Sequence, residues 1–418
     1  MITIKSIRAR QILDSRATPT VEVQLKLSND NIVTASAPSG ASVSKHEAYE
    51  LRDNYKSNYL GKSVTKAVSN VNTIIERALN GKNPLNQEEI DNLLINLDST
   101  KNKSNLGANA ILPVSICIAK AGAKIKDIEV FKYLRSLTGN KSNEYVTPKL
   151  AFNILNGGLH AGENIDFQEF LVIPKVEDIT KSIQYATTIY QNLKKILQKA
   201  NKSTLLGDEG GFAPVLKSNE EALSLIIESI SKTGLSYPFE VELGIDVAAS
   251  SFYKNNKYSL KEISKDLDSS ELLEYYVKLN KKYPLLYLED PFYEEDFESF
   301  ARLKSKLSTN CIICGDDLIS TNPQLLKKAI NENSLNCIII KLNQIGTVSE
   351  TLSVIKLAQK NNIKINVSHR SGETNDDFIA DLAIAVSAQF TKFGAPARGE
   401  RVAKYNRLLK IAEDFQNY

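Results

Sequence analysis

Five short apolar runs in the second half of this chain each end in a polar or ionisable residue, and their spacing constrains the fold more than any other feature. Residues 239–245 stop at Asp246, and 285–288 stop at Glu289. Residues 311–314 reach Asp316 through Gly315, 337–340 stop at Lys341, and 363–367 run into Ser368-His369-Arg370. The steps from 246 to 289, 316, 341 and 369 are 43, 27, 25 and 28 residues. Each step has room for one strand and one helix, with an insertion in the first. Helix start signals fall between the runs: Asn322-Pro323 puts proline in a first turn, and Thr347-Val-Ser-Glu350 fits a capping box. Repeated strand–helix units predict an α/β fold with a parallel sheet. A doubly wound sheet is the alternative. It would carry a Gly-rich phosphate turn after its first strand, and none stands in that context. A closed barrel is expected.

The first third is organised differently. Thr20–Leu27 alternates apolar and polar residues, residues 28–31 make a turn, and residues 32–37 return. Helical periodicity then runs from about Val64 to Leu134, interrupted at Gly81, Asn83-Pro84 and residues 105–107. Strands followed by helices predict a small α+β domain. The polar residues 138–143 mark the boundary, so the expected division is 1–137 and 138–418, consistent with a barrel of about 250 residues plus a second domain.

Charge and composition exclude several classes. A net charge of +3 with 24% charged residues gives no basic face for nucleic acid. The lysine pairs 194–195 and 281–282 read as solvated helix faces. The start of the chain lacks the pattern of a signal peptide. No window approaches about 20 consecutive apolar residues, so no membrane span is expected. Cys311-Ile-Ile-Cys314 has zinc or redox spacing, but it sits in an apolar run without a second Cys pair or a nearby His. A buried strand and a reduced, cytoplasmic setting are the expectation.

In a barrel, the C-terminal strand ends form the active-site face. Asp246, Glu289 and Asp316 converging there without cysteines suit a hard cation such as Mg²⁺, and without one they would repel each other. Lys341 in the same ring could be a counter-ion, a Schiff-base nucleophile or a proton-abstracting base. Bringing a lysine from a pKa of about 10.4 to near 7–8 needs about 4 kcal/mol. A dication about 5 Å away supplies roughly 6–7 kcal/mol at an effective dielectric of about 20. Further polar loops supply candidates. Residues 207–214, Gly-Asp-Glu-Gly-Gly-Phe-Ala-Pro, carry two acids. His160 lies in a Gly-rich loop with Gln168-Glu169 behind it. Residues 368–374, Ser-His-Arg-Ser-Gly-Glu-Thr, offer phosphate donors. Residues 38–42, Pro-Ser-Gly-Ala-Ser, read as a turn or a lid over the barrel mouth.

Taken together, these segments resemble the enolase family, from Asp14-Ser-Arg16 to Arg401-Val-Ala-Lys-Tyr-Asn-Arg407. The combination of Ser-Gly-Ala-Ser, Gly-Asp-Glu-Gly-Gly, Leu-Glu-Asp-Pro, Gly-Asp-Asp-Leu, Lys-Leu-Asn-Gln-Ile-Gly and Ser-His-Arg-Ser-Gly-Glu-Thr carries the likeness. The resemblance implies an N-terminal capping domain on an eightfold barrel that opens with two strands and then two helices. It implies reversible dehydration of 2-phosphoglycerate to phosphoenolpyruvate with two Mg²⁺ per site. By the same likeness, Asp246, Glu289 and Asp316 match ligands of the first ion. Lys341 matches the base at C2, and Glu209, with Glu169 beside it, matches the acid at the C3 hydroxyl. Lys392 matches a cation at the substrate carboxylate, Arg370 and Ser371 match phosphate contacts, and Gln168, His160 and His369 belong with the site. Ser42 matches the lid serine that ligates the second ion. A lysine base beside Mg²⁺ is a known pairing for this superfamily.

Arg10 with Glu400, and Glu22 with Lys410, match cross-subunit pairs, which implies a homodimer or an assembly of dimers. There are departures from the family pattern. Ala17-Thr18 replace the usual Gly-Asn, Val43-Ser44 replace Thr-Gly after the lid serine, and Ser251 stands where an acid is common. Losing the glycine at position 44 is expected to stiffen the lid hinge. The rival readings are an acid-sugar lyase of the same superfamily and a binding or structural protein derived from an enolase.

Overall fold

The computed structural model describes residues 1–40, 44–140, 145–162, 164–307 and 309–416. The N-terminal part opens with an antiparallel meander of β1 (Ile4–Leu13), β2 (Pro19–Leu27) and β3 (Ile32–Ser36). The alternation in β2 buries Val21, Val23, Leu25 and Leu27, and the helix Ala108–Lys126 packs on the meander. By length and composition alone that helix could cross a membrane. Its apolar window is 83% buried inside the fold, and that burial accounts for its hydropathy. The predicted helical stretch divides at the expected places and also at residues 127–129, where Asp127 adopts φ +52°. Short segments cover Thr65–Asn70, Val71–Ile75 and Glu76–Leu79, and longer helices follow at Gln87–Asp98, Ala108–Lys126 and Val130–Leu137.

Eight strands form a closed barrel: β4 (Lys149–Asn156), β5 (Glu169–Pro174), β6 (Val241–Asp246), β7 (Leu285–Glu289), β8 (Ile312–Gly315), β9 (Cys337–Ile340), β10 (Lys364–Ser368) and β11 (Phe390–Lys392). Around the ring the order is β8-β9-β10-β11-β4-β5-β6-β7. The closed barrel, and not the doubly wound sheet, is the architecture. The helices Ile179–Lys199 and Asn219–Ser231 follow β4 and β5 before strict alternation begins. The run predicted over 239–245 starts as a strand only at Val241. Ser236 and Glu240 close a turn ahead of it, and Phe239 is exposed.

Strand β5 runs antiparallel to both β4 and β6, whereas every other neighbouring pair is parallel. The reversal brings the beginning of β5 to the face where the other strands end. In register, Glu169 therefore stands opposite Asp246. Inside the barrel a second small core contains Ala151, Leu171, Ile173, Tyr287, Cys314, Cys337, Ile339 and Phe390. All four cysteines are free and buried, as the apolar-run reading of residues 311–314 predicts.

The capping part is pinned to the mouth of the barrel. Ser39 and Gly372 exchange backbone hydrogen bonds of 2.8 Å, Ser15 N donates to Glu373 O at 2.8 Å, and Lys120 Nζ pairs with Asp376 at 2.9 Å. In the turn feeding this contact, Asp14 Oδ1 accepts from the backbone of Arg16 and Thr18, and Ala17 adopts φ +53°.

Candidate active site

Asp246 and Glu289 are neighbours in the β6–β7 register, so both carboxylates reach the barrel mouth from adjacent strand ends. Lys392, the last residue of β11, points into the same space. Its Nζ lies 2.7 Å from Glu289 Oε1, 3.0 Å from Asp246 Oδ2 and 3.3 Å from Glu169 Oε1, and all four side chains are buried. Burial opposes the charge on Lys392, but Asp246, Glu169 and Glu289 outweigh it and hold the ammonium well above its ordinary range. Burial and then repulsion from Asp246 push the Glu289 carboxyl up to about 8. Burial and then the charge of Glu209 push Glu169 well above the usual carboxylate range.

Across the mouth, Lys341 Nζ contacts Asp316 Oδ2, and Gln344 Nε2 donates to Asp316 Oδ1 at 3.3 Å. Asp290 fixes this corner by accepting from the backbone N–H of Asp316 (2.9 Å) and of Asp317 (2.7 Å). Burial penalises the Lys341 ammonium, but Asp316 outweighs it and raises the lysine. Asp316 is lowered, because Lys341 and Lys392 outweigh its burial. In this arrangement Lys341 is a protonated counter-ion.

The loop over residues 207–211 sits tightly on β4. A Cβ at Gly211 would meet Asn156 Oδ1 at 2.7 Å and Leu155 N at 3.0 Å, so the close approach requires glycine. This packing delivers Glu209, which accepts from Asn153 Nδ2 at 2.9 Å. His160 Nδ1 lies 3.5 Å from Glu209 Oε1 and 3.8 Å from Glu169 Oε1. His369 Nε2 lies 3.2 Å from Glu209 Oε2, off the ideal hydrogen-bond line. Burial would raise Glu209, but His160 and His369 outweigh it and leave the carboxylate well below its usual range. Burial lowers both imidazoles, His369 to about 4.

Arg401 organises this side. Its guanidinium is fully buried and donates to His369 Nδ1 (2.7 Å), Arg370 O (2.5 Å), Ser371 O (2.6 Å) and Asp208 O (3.1 Å). Arginine can only donate, so His369 Nδ1 must accept, and the imidazole proton sits on Nε2, facing Glu209.

Arg370 is held by the buried Glu47, with contacts of 2.8 and 3.2 Å, and by Asn343 Oδ1 at 3.1 Å. Ser371 Oγ accepts from Arg16 at 3.3 Å, and Gln168 Nε2 donates to Asp246 Oδ2 at 3.4 Å. Ser44 is buried, and its hydroxyl donates to Glu294 at 2.7 Å. A glycine there could not make that bond. Ser42 and Val43 lie outside the described residues. His46 stands apart from the mouth, 3.9 Å from Glu295.

One cavity of about 30 Å³ is lined by His160, Gln168, Glu169, Glu209, Asp246, Asp316, Lys341, His369, Arg370, Ser371 and Lys392. Glu289 joins it through Lys392. The sequence reading thus nominates residues that the fold brings together. It missed Glu47, Asp290, Gln344 and Arg401. A carboxylate directly after Glu289 is a readable signal for Asp290. The other three become buried only through contacts distant in sequence.

The oxygen-only donors of Asp246, Glu289 and Asp316 fit a hard cation. Lys392 bridges Asp246 and Glu289 here, and Lys341 engages Asp316. Among the described residues, the groups whose candidate ligand atoms lie within 4.8 Å of one another are His160, Glu169 and Glu209, and Asp290, Asp316 and Asp317; Asp246, Glu289 and Asp316 do not form such a group in this arrangement.

Comparison with known proteins agrees with this architecture. Residues 4–134 match the family described as enolase, N-terminal domain, and residues 144–418 match enolase, C-terminal TIM barrel domain. The proteins named enolase from Ehrlichia ruminantium strains Gardel and Welgevonden are each 46% identical to the chain over 411 residues. The match covers 98% of this chain and 96% of each relative. The chain belongs to the enolase family.

Proposed function

We propose that the chain interconverts 2-phosphoglycerate and phosphoenolpyruvate plus water, as a lyase of glycolysis and gluconeogenesis. The observation that carries this reading is the single buried cavity where Lys341, Lys392 and Arg370 meet the carboxyls of Glu169, Glu209, Asp246 and Asp316. Asp246, Glu289 and Asp316 would hold one Mg²⁺, and Ser42, outside the described residues, is the expected ligand of a second. When bound, magnesium supplies positive charge that favours a neutral Lys341 and stabilises the dianionic enolate.

The residues divide the work. Arg370 and Ser371 bind the phosphate, which competes with Glu47 for the guanidinium. Lys392 faces the substrate carboxylate and balances charge as it develops. Lys341 takes the C2 proton. The C3 hydroxyl leaves as water with a proton from the Glu169–Glu209 pair. The electrostatics favour the pair over Glu209 alone, because Glu169 holds its proton tightly and Glu209 does not. His160 Nδ1 faces both carboxyls without a hydrogen bond to either.

We place the domain boundary at residue 138. A homodimer is the expected assembly. Within one chain Arg10 pairs with Glu22 at 2.5 Å, and Glu400 Oε1 lies 3.3 Å from Arg401 Nε. Asp14, Glu22, Glu373, Asp376, Asp377 and Glu400, with Lys120 paired to Asp376, line a cleft of about 530 Å³ in which acids outnumber bases, which suits basic groups of a second copy. A cytoplasmic setting is supported by the four free cysteines. The test is a magnesium-dependent assay with 2-phosphoglycerate. Formation of phosphoenolpyruvate is expected, and its absence from folded protein in excess Mg²⁺ contradicts the reading.

A further inference from the structure

Tyr287 lies two residues before Glu289 on β7, so both side chains project to the same face of the strand, into the barrel. The phenol is fully buried in the small inner core. Its Oη donates to Glu289 Oε2 at 2.7 Å and accepts from Asn366 Nδ2 at 2.9 Å. A phenol has one proton. With the Asn366 amide donating to it, that proton goes to Glu289. The other carboxylate oxygen, Oε1, faces the mouth, where Lys392 Nζ approaches to 2.7 Å. The two oxygens are therefore not equivalent: one is tied down inside the barrel, and the other is presented to the site.

We infer that Tyr287 sets the metal preference of this site by restricting Glu289 to ligation through one oxygen. The inference rests on Glu289 being a magnesium ligand. Mg²⁺ takes six ligands in near-ideal octahedral geometry at about 2.0–2.1 Å, which one-oxygen carboxylates satisfy. Ca²⁺ takes about 6–8 oxygens at about 2.3–2.6 Å and readily uses both oxygens of a carboxylate. A carboxylate with one oxygen fixed beneath the site favours the smaller ion. Tyr287 is a positioning residue, since it touches the ligand and not the reacting atoms. Asn366 completes the chain by holding the phenol.

Calorimetric titration of Mg²⁺ and of Ca²⁺ into the full-length protein tests this without turnover. Tyr287→Phe is expected to weaken Mg²⁺ binding by about 10-fold, in the range found when partners of metal ligands are removed. Ca²⁺ should be held as well as before or more tightly, so the preference shifts by at least that factor. Tyr287→Phe leaves the Asn366 amide without its acceptor. The double variant Tyr287→Phe, Asn366→Leu removes that orphan donor and should show the same shift if the single variant does not fold. Affinities for both ions that stay unchanged, or fall by one common factor, overturn the inference. Glu289→Gln serves as the control: unchanged affinity for both ions there refutes the ligand assignment and the inference with it, whereas weakened binding there together with unchanged binding in Tyr287→Phe overturns the role of Tyr287 alone.

Discussion

Removing the Lys392 ammonium exposes how the mouth of the barrel is balanced. The change Lys392→Met keeps most of the side-chain volume and deletes the cation that touches Glu289, Asp246 and Glu169 at 2.7, 3.0 and 3.3 Å. At an effective dielectric of about 20, one ionised carboxylate at 3.0 Å attracts Lys392 by about 5.5 kcal/mol. The cost of burying the ammonium offsets part of this. Breaking buried pairs by removing one partner typically costs about 3–5 kcal/mol, and that is the loss expected in urea unfolding at pH 7 with chelator present. The sign of the pH dependence also follows. Glu289 titrates near 8 in the fold, above an unfolded carboxyl near 4, so the folded state holds its proton more tightly. Folding stability from this group is present below about 4 and lost as pH rises through about 8. Without Lys392 the carboxyls rise further, so the cost of the substitution should shrink between pH 7 and pH 5. Saturating Mg²⁺ should recover part of the loss by supplying charge to the same carboxylates. A variant within 1 kcal/mol of the parent at pH 7 in chelator, or a cost that grows toward pH 5, refutes the argument.

Three further outcomes are expected. Arg401→Lys should leave the fold intact but release His369 from its single tautomer, which nitrogen-15 spectra of the imidazole would detect; a spectrum like that of the parent contradicts the role assigned to Arg401. Lys120→Met, which breaks the pair with Asp376 between capping domain and barrel, should cost about 3 kcal/mol at neutral pH. Lys120 outweighs burial and depresses Asp376, so this stability is present above about 4 and lost as pH falls through the lowered value; equal pH profiles for parent and variant would count against it. Ala17→Gly should stabilise the protein by about 0.5–1 kcal/mol, because Ala17 sits at φ +53° where glycine is unstrained, and a destabilised variant contradicts the strain argument.

Much of the barrel was readable because parallel strands buried on both faces leave near-continuous apolar runs, and the charged residue that ends each run stands out. Asp246, Glu289, Asp316, Lys341 and His369 were legible in this way. Glu169 was not, because β5 is reversed and its mouth-facing residue begins a strand. Lys392 ends a strand of three residues, too short for periodicity to single out, and only the family likeness nominated it. Arg401 reads locally as a solvated charge at a helix start. Its burial comes from carbonyls of two loops distant in sequence, and no local pattern encodes that. The Tyr287–Glu289 contact was readable in principle, since alternate strand residues share a face. Nothing in the sequence marks which face looks into the barrel.

The departure at position 44 has a different consequence from the one its chemistry suggests. A serine for glycine removes backbone freedom, but its hydroxyl reaches Glu294 and its N–H reaches Glu47, the residue that holds Arg370. Only the hydroxyl contact to Glu294 is new with serine, since a glycine would keep the backbone N–H, and it ties the capping segment to the barrel.

The central claim is that Lys341 removes the C2 proton and the Glu169–Glu209 pair acts afterwards, at the C3 hydroxyl. Exchange of the C2 hydrogen of 2-phosphoglycerate with deuterated solvent separates the two steps. Lys341→Ala should bind the substrate yet show neither exchange nor phosphoenolpyruvate, whereas Glu209→Gln should retain exchange and lose the dehydrated product. Continued exchange in Lys341→Ala, or loss of exchange in a folded, substrate-binding Glu209→Gln, contradicts the assignment.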